Sequence, residues 1–312
     1  MATLRRLLPM VVAAAPLLGC SASLRHGVRA TDAAAQIEQV THSSSNEMDP
    51  AVSPDARWLA FDQADSLGSR PRIEVLATAD LKSSSPVPAF SSNDKMGLEP
   101  AWMPTGSIVF ESDAGLAQTL GGSVVPARFR GPVGASDFRG SWPAMSLDGR
   151  LALSIGATTQ YRTGWLTSRS LDDSIGVTDL SGPGLNVIPG TDPAWSPDGK
   201  KLAFARLTDG HMHLFVAAPD GSGAVQITDG SEDDRQPAWS PDGQNIAFCS
   251  VRLNEEGWEQ GNLFVVRPDG SGLVQLTEGD ALACRPDWAS DGYIYFHANA
   301  RDNFHIWRLR RV

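Results

Sequence analysis

The sequence lacks most of the features that mark a specialised class of protein. Its 312 residues include only three cysteines, too few for a disulfide scaffold, and only three tyrosines. The formal net charge is −10 and basic runs are short, which argues against nucleic-acid binding. No G-x-S-x-G, H-E-x-x-H or P-loop pattern occurs. We therefore expect a protein that is not an enzyme, with no catalytic residue, no cofactor and no resident metal.

Glycine, proline and tryptophan are abundant instead. The chain has 30 glycines, 21 prolines and 9 tryptophans, and 41% of its residues are hydrophobic. A chain of this composition can bury a sizeable core, so general disorder is excluded. The turn-forming residues do not recur every third position, which excludes a collagen-like helix.

The N-terminus is typical of a secretion signal. Arg5 and Arg6 precede a short apolar stretch at residues 7–18, which is shorter than the roughly 20 residues that a membrane-spanning helix needs. The stretch ends in Leu-Leu-Gly-Cys at Cys20, which resembles the lipobox of bacterial lipoproteins. An ordinary signal peptide with an incidental cysteine is the alternative.

The lipobox resemblance implies a chain that is cut and lipidated at Cys20. The signal would be residues 1–19, and Cys20 would carry fatty acyl chains such as palmitate, which give stable membrane anchoring when several are present. Residues 20–35 are small and polar, and we interpret them as a lipidated tether reaching about 50 Å at most. Because Ser21 rather than aspartate follows the cysteine, the resemblance favours the outer membrane, facing the periplasm.

Six copies of one repeat fill the rest of the chain. Two segments match closely, DPAWSPDGKKLAFAR at 192–206 and QPAWSPDGQNIAFCS at 236–250. Four weaker copies recur at a mean spacing of about 47 residues. The leading prolines are Pro50, Pro100, Pro143, Pro193, Pro237 and Pro286.

Each repeat predicts four antiparallel strands, a to d. The Ser-Pro-Asp-Gly segment has the residues that a tight turn requires, and it separates strand a from the apolar strand b. Strand c, the Pro-Asp-Gly turn and strand d follow in the two best copies. Four strands in about 45 residues make one propeller blade. The fold is therefore predicted to be all-β, a six-bladed β-propeller over residues 36–312.

The sixth repeat ends after strand c, so its fourth strand must come from elsewhere. Residues 36–41 read QIEQVT and resemble the strand-d segments VQIT and VQLT of blades 4 and 5. We predict that this N-terminal segment closes the last blade and leaves no open sheet edge at the seam.

The PAWSPDG repeats resemble the WD-like propeller repeats of the TolB type. The resemblance covers about 270 residues and implies a propeller that docks proteins at its axial face and takes part in envelope organisation. TolB also has an N-terminal α/β domain, for which we find no segment in this sequence. The resemblance therefore implies a TolB-like lipoprotein rather than a direct equivalent of TolB. We expect a monomeric, non-catalytic scaffold that binds an envelope protein or peptide.

One set of residues is a candidate partner-binding site. Strand a is the innermost strand of a blade, so the residues before the six leading prolines should ring one mouth of the central channel. A mostly acidic ring with one tryptophan could bind a basic peptide or a cation. Polar residues at blade joints are also the ordinary expectation for loops. The six residues are Asp49, Glu99, Trp142, Asp192, Gln236 and Arg285.

Two other groups of residues leave alternatives open. Cys249 and Cys284 fall near one face of adjacent blades and could form a disulfide, or Cys249 could be a small buried apolar residue. The histidines are dispersed, and we expect His211, His213, His297 and His305 to have surface or packing roles rather than to bind metal.

Two alternative functions follow from the same sequence. TolB-type repeats also resemble propellers of some peptidases and of oligogalacturonate lyase, which makes a lyase-like or hydrolase-like enzyme the first. A glycan- or peptidoglycan-binding module is the second, in which Trp142, Trp165 or Trp258 would stack on sugars.

Overall fold

The computed structural model describes most of the repeat region. The described residues are 27–32, 35–65, 69–81, 86–89, 96–112, 115–120, 123–126, 140–155, 174–179, 186–300 and 303–310. Residues 1–26, with Cys20 and the predicted signal, and the segment with Trp165 lie outside them. None of the helices in the described part has the length and hydropathy to cross a membrane.

The described elements are strands apart from one short 3₁₀ turn at Thr78–Asp80. Two strands come before the blades: β1 (Val28–Ala30) and β2 (Gln36–Gln39). Blade 1 has β3 (Asn46–Val52), β4 (Trp58–Ala64), β5 (Arg72–Ala77) and β6 (Val87–Pro88). Blade 2 has β7 (Leu98–Trp102), β8 (Ile108–Ser112), β9 (Gly115–Leu120) and β10 (Ser123–Pro126). Blade 3 has β11 (Gly140–Met145), β12 (Arg150–Ile155), β13 (Ser174–Asp179) and β14 (Asn186–Pro189).

The second half is more regular. Blade 4 has β15 (Thr191–Trp195), β16 (Leu202–Thr208), β17 (His211–Ala217) and β18 (Val225–Gln226). Blade 5 has β19 (Asp233–Trp239), β20 (Ile246–Leu253), β21 (Glu259–Val266) and β22 (Val274–Gln275), and β23 (Thr277–Gly279) follows it. Blade 6 has β24 (Ala283–Trp288), β25 (Ile294–Ala300) and β26 (Asn303–Arg310).

The six four-stranded sheets confirm the predicted propeller and its closure. Blade 6 has the order β2-β26-β25-β24, with β2 antiparallel to β26 and Gln36 opposite Arg310. The N-terminal strand therefore supplies the fourth strand of the last blade, as the QIEQVT segment predicted. This pairing ties the N-terminal strand to the last blade, so that β26 is not left as an unpaired edge.

The Ser-Pro-Asp-Gly turns fold as the residue types dictate. In blades 4 and 5 the serine hydroxyl donates to the turn aspartate, at 2.7 Å for Ser196 and Asp198 and 2.5 Å for Ser240 and Asp242. Each hydroxyl also accepts from a backbone N–H at the end of the turn. The turn glycine has a φ near +69°, a left-handed conformation that glycine adopts without steric cost. We call the side of the ring that carries these turns the turn face.

Tryptophans join neighbouring blades at the repeated strand-a position. The indole Nε1 of Trp102 donates to the carbonyl of Ala51 at 2.9 Å, and that of Trp239 donates to Ala194 at 3.1 Å. Trp195 makes the equivalent bond to Ala144. In each case the acceptor belongs to the preceding blade. The tryptophan excess thus reflects inter-blade contacts repeated around the ring.

The segment predicted to be a tether is partly folded. Val28 to Ala30 pair antiparallel with Thr277 to Gly279, and Val28 is buried among residues of blades 5 and 6. The prediction of a free tether over residues 20–35 is therefore wrong for this part. Its composition gave no sign of the strand, because β1 forms through backbone pairing to a distant segment and one buried valine.

Candidate functional site

The six residues before the leading prolines share one unusual backbone conformation. Each strand a has a register shift against strand b at this point, for example between Met48 and Ala51 in blade 1. All six have φ between 49° and 58°, the left-handed region that residues with a side chain rarely adopt. Such a bulge re-aims a side chain, and strained residues of this kind cluster at functional sites.

These residues form the floor of a funnel along the ring axis. The cavity has a volume of about 330 Å³ and opens on the turn face, because its lining continues from the six residues along strand a to Pro54, Pro104 and Leu147. Glu99 and Asp192 are each only 6% exposed. All six residues line this one cavity, and they lie inside it rather than at an open mouth.

Arg285 crosses this floor and pairs with residues of three other blades. Its Nε lies 3.2 Å from Asp49 Oδ1, and its Nη2 lies 3.7 Å from Glu99 Oε1. Its guanidinium also stacks over the ring of Trp142 at 4.8 Å from the centroid. Since Trp142 belongs to the blade opposite Arg285, the side chain spans the channel. The expected acidic ring is thus partly neutralised from within.

Hydrogen bonds between blades hold the bulges in place. The N–H of Trp142 donates to Glu99 Oε2 at 2.6 Å, and the N–H of Arg285 donates to Gln236 Oε1 at 3.1 Å. Each acceptor is the bulge residue of the preceding blade. The residue types at these positions therefore serve the ring itself, since an amide or carboxylate can accept from the next blade.

The side chains of Trp142 and Arg285 cannot accept the N–H of the bulge residue in the next blade. In these two cases a residue on strand b of the same blade as Trp142 or Arg285 accepts it instead. Trp142 is followed by Asp192, whose N–H donates to Ser154 Oγ at 3.1 Å. Arg285 is followed across the seam by Asp49, whose N–H donates to His297 Nδ1 at 3.3 Å. Ser154 and His297 support the floor, and the sequence analysis missed this role.

Burial dominates the electrostatics of the floor. It raises the pKa of Glu99, and that of Asp62 on the neighbouring strand β4 of blade 1, well above the usual range, and the nearby Asp49 charge raises both further. Burial also raises the pKa of Asp192. Arg285 lowers the pKa of all three carboxyls and so opposes the effect of burial. This arginine is therefore the central charge of the site.

Two further titratable groups lie close to the floor. Burial lowers the pKa of His297 to about 4, which fits a neutral imidazole that accepts the Asp49 N–H. Asp287 occupies a wall position where other blades have alanine, and burial raises its pKa to about 6. Its carboxylate accepts from the N–H of Val52 across the seam at 2.5 Å. A sequence comparison between blades could have singled out Asp287, because it departs from the repeat.

The other described histidines lie in separate surroundings. His305 Nδ1 lies 3.0 Å from the buried Glu47 carboxylate, and His211 and His213 have ring centroids 6.4 Å apart. His213, His297 and His305 are buried, so the surface alternative is wrong for them. Within the described ranges, no group of three or more His, Cys, Asp and Glu side chains could hold a metal ion.

Cys249 and Cys284 form a disulfide between blades 5 and 6. Their Cα atoms lie 5.0 Å apart, and both residues are buried. Gly261 makes room for the pair, since a Cβ there would lie 2.7 Å from Cys284 Sγ and 2.9 Å from Cys249 Sγ. The site is thus built from three positions that only the fold brings together.

The disulfide leads to a testable expectation. Replacing Cys249 and Cys284 together by alanine should lower the free energy of unfolding by about 2–4 kcal/mol, because the bond closes a long loop in the unfolded chain. Alanine fits at position 249 because Ala205 holds the equivalent position in blade 4. Urea unfolding would measure the change in a Cys20→Ser background. Reduced protein without these substitutions should match the double variant, and equal stability of oxidised and reduced protein would contradict the expectation.

A family model describes the repeats of the second half. The model of the TolB beta propeller domain matches residues 183–310. This chain is a six-bladed β-propeller whose second half matches the TolB propeller domain. Over 35 residues, 11% of the chain, it is 51% identical to the Tol-Pal system protein TolB of Syntrophus aciditrophicus, and that match spans only 8% of the relative.

Solved TolB structures share the fold of this TolB-like propeller. The TolB crystal structure from Acinetobacter baumannii superposes with a TM-score of 0.60 at 19% identity, over 80% of this chain and 59% of that one. A putative TolB from Agrobacterium tumefaciens gives 0.61 at 17% identity, over 89% and 97%. An oligogalacturonate lyase from Vibrio parahaemolyticus gives 0.52 at 13%, over 92% and 97%. At these identities the likeness establishes the fold, which binding proteins and enzymes share.

Proposed function

We propose that this TolB-like propeller is an envelope lipoprotein that binds a segment of another envelope protein in its funnel. The observation that carries the proposal is the funnel itself, open on the turn face, with a wall of proline, alanine and tryptophan and a charged floor. Such a pocket suits an extended segment with an apolar body and a charged end. The similarity to a Tol-Pal system protein supports an envelope role.

The charge of the floor favours a basic or amino-terminal end on the partner segment. Asp49, Glu99 and Asp192 face Arg285, so carboxyl groups outnumber basic groups among the described residues that line the funnel. Negative potential inside a narrow, poorly solvated cavity attracts cations more strongly than the same charges on an open surface. We propose that these three residues, with Trp142, Gln236 and Arg285, set the specificity at the bottom of the funnel.

Neutralising the floor should weaken partner binding at least tenfold. The variant combines Asp49→Asn, Glu99→Gln and Asp192→Asn, which keep hydrogen-bond acceptors but remove the carboxyl groups. Affinity would be measured for a partner captured by a photo-crosslinker at Leu147, an exposed residue of the funnel rim.

The control removes three carboxylates from the opposite side of the ring. Glu255→Gln, Glu256→Gln and Glu259→Gln remove the same number of carboxyl groups and lie on the blade 5 hairpin formed by β20 and β21. This control should bind the partner normally. If the two triple variants weaken binding equally, only net charge matters and the funnel proposal fails.

The lipid anchor is tested by a separate variant. Cys20→Ser removes the only thiol that the lipobox resemblance assigns to acylation. We expect this protein to move from the detergent phase to the aqueous phase in detergent partitioning, while partner binding in solution is unchanged. A Cys20→Ser protein that still partitions with detergent would contradict the anchor.

An enzyme is the second candidate, favoured by the shared fold of the lyase. We prefer binding because the charged groups of the floor are engaged with one another, so they maintain the bulges of the ring. If catalysis occurred at the floor, a His297→Gln variant would abolish turnover of a substrate found by screening.

A further inference from the structure

The N-terminal strand fixes where the preceding chain leaves the propeller. Beyond the pairing of β1 with β23, the Thr31 N–H donates to the carbonyl of Leu276 at 3.0 Å, and its hydroxyl donates to that of Gln275 at 2.7 Å. Val28 is 7% exposed and belongs to the core of blades 5 and 6. The segment is therefore docked at its own position on the ring.

The direction of this strand follows from the sheet topology. Strands β22 and β23 lead away from the turn face, because strand c of blade 5 ends there and the Pro-Asp-Gly turn follows it. Since β1 is antiparallel to β23, tracing the chain backward from Ala30 to Val28 leads to the opposite side. We call that side the hairpin face, because it carries the hairpins between strands b and c. The chain thus enters β1 from the side away from the funnel opening.

The docking also shortens the connection to Cys20. With β1 held on blade 5, only the residues from Cys20 to Gly27 separate the lipid from the ring. Even fully extended, these residues reach roughly 25 Å. A 15-residue free tether would have reached about 50 Å and would have let the ring rotate. A short connection leaving one face restricts which face can lie against the bilayer.

The same face and the same blade carry two exposed apolar side chains. Leu253 is 65% exposed and Trp258 is 67% exposed, at the tip of the hairpin formed by β20 and β21. The N–H groups of Glu256 and Trp258 both donate to Asn254 Oδ1, which fixes the turn. Tryptophan favours the interface between headgroups and hydrocarbon. The carboxylates of Glu255 and Glu256 beside it favour zwitterionic over anionic lipid.

We propose that the hairpin face rests on the membrane, with the tip of the blade 5 hairpin in contact with zwitterionic headgroups, so that the funnel opens away from the bilayer. The inference rests on the lipid anchor of the proposed function. It adds an orientation and a second membrane contact. A funnel pointing into the periplasm would be accessible to a protein partner, whereas the reverse orientation would bury it against lipid.

The orientation can be measured on the lipidated full-length chain in zwitterionic vesicles that contain a headgroup quencher. A fluorophore would be attached to Glu256→Cys on the hairpin tip or to Gln244→Cys on the turn face of the same blade; both positions are exposed. We expect at least threefold stronger quenching at position 256. Equal quenching, or stronger quenching at position 244, would overturn the orientation.

Two additional variants separate the contribution of β1 from that of the hairpin tip. Val28→Asp should release β1 and reduce the difference in quenching between the two positions, and an unchanged difference would refute the role of β1. Leu253→Ser with Trp258→Ser should lower quenching at position 256, and no change would refute the hairpin contact. Failure of the anchor itself would appear as unlabelled protein that does not bind vesicles, and failure of partner binding as normal orientation without crosslinking at Leu147.

Discussion

Replacing Trp239 by alanine is expected to lower the free energy of unfolding by about 3–5 kcal/mol, the usual cost of truncating a buried aromatic side chain. Trp239 is only 7% exposed and belongs to the hydrophobic core between blades 4 and 5, which also contains Met212, Ile227 and Phe248. Its indole N–H also donates a hydrogen bond to the backbone carbonyl of Ala194 in the preceding blade. The substitution would remove both the packing and the bond that joins the two blades.

Urea unfolding with two control variants would separate these contributions. Trp258→Ala removes an exposed tryptophan of the same blade and should change stability by less than about 0.5 kcal/mol. Trp239→Phe keeps most of the buried ring but loses the indole donor, so its cost should be about 1 kcal/mol. If Trp239→Ala and Trp258→Ala had equal effects, the repeated tryptophan position would have no role in joining the blades.

Replacing Arg285 by glutamine is expected to destabilise the protein by about 3–5 kcal/mol at pH 8, because removal of one member of a buried ion pair leaves the other unpaired. Asp49 and Glu99 lose their shared cation, and Trp142 loses the stacked guanidinium. Glutamine suits the position because Gln236 has the same left-handed backbone in blade 5. Any loss therefore reports on charge rather than on backbone strain.

The effect of this substitution should depend on pH. Burial raises the pKa of Glu99, Asp62 and Asp192, and Arg285 opposes that rise. Without the arginine, their folded-state pKa values rise further above those of the unfolded chain. A carboxyl with a raised folded pKa gains stability as the pH falls, because the folded state binds the proton more tightly. The destabilisation should therefore be clearly smaller at pH 5 than at pH 8.

A surface ion pair provides the control for the arginine. Arg57 pairs with Asp55, but its side chain is 76% exposed, so Arg57→Gln should cost less than about 1 kcal/mol at either pH. Arg285→Lys retains the charge and should be intermediate. A destabilisation by Arg285→Gln that is independent of pH would contradict the assigned role of the buried carboxyls.

The repeats explain why so much of the fold follows from the sequence. Ser-Pro-Asp-Gly is a local signal, since proline presets one turn angle and glycine takes the left-handed one, so each copy marks its own turn. Residues 36–39 carry the strand-d pattern and an unpaired strand c was the alternative, which made the closure of blade 6 predictable. The six floor residues were predictable as a ring for the same reason, because equivalent positions in a closed repeat lie at one radius and one height.

The role of each floor residue was not predictable in this way. Arg285 is one member of the series in sequence, but in space it reaches Trp142 on the opposite blade, about 140 residues earlier in the chain. His297 and Ser154 have nothing in common in sequence. Each nevertheless accepts the N–H of the bulge residue in the next blade, which the bulge side chain of its own blade cannot accept. These roles depend on which side chain lies across the axis or across a blade interface.

The sequence by itself determined the architecture, because turn chemistry and strand alternation are local and were repeated six times. It also determined which residues encircle the axis. Only the tertiary structure decided that Arg285 bridges the acidic ring and that Val28 holds the N-terminal segment on blade 5. Burial and pairing between residues distant in the chain depend on the three-dimensional distances of the closed ring, and no local pattern encodes those distances.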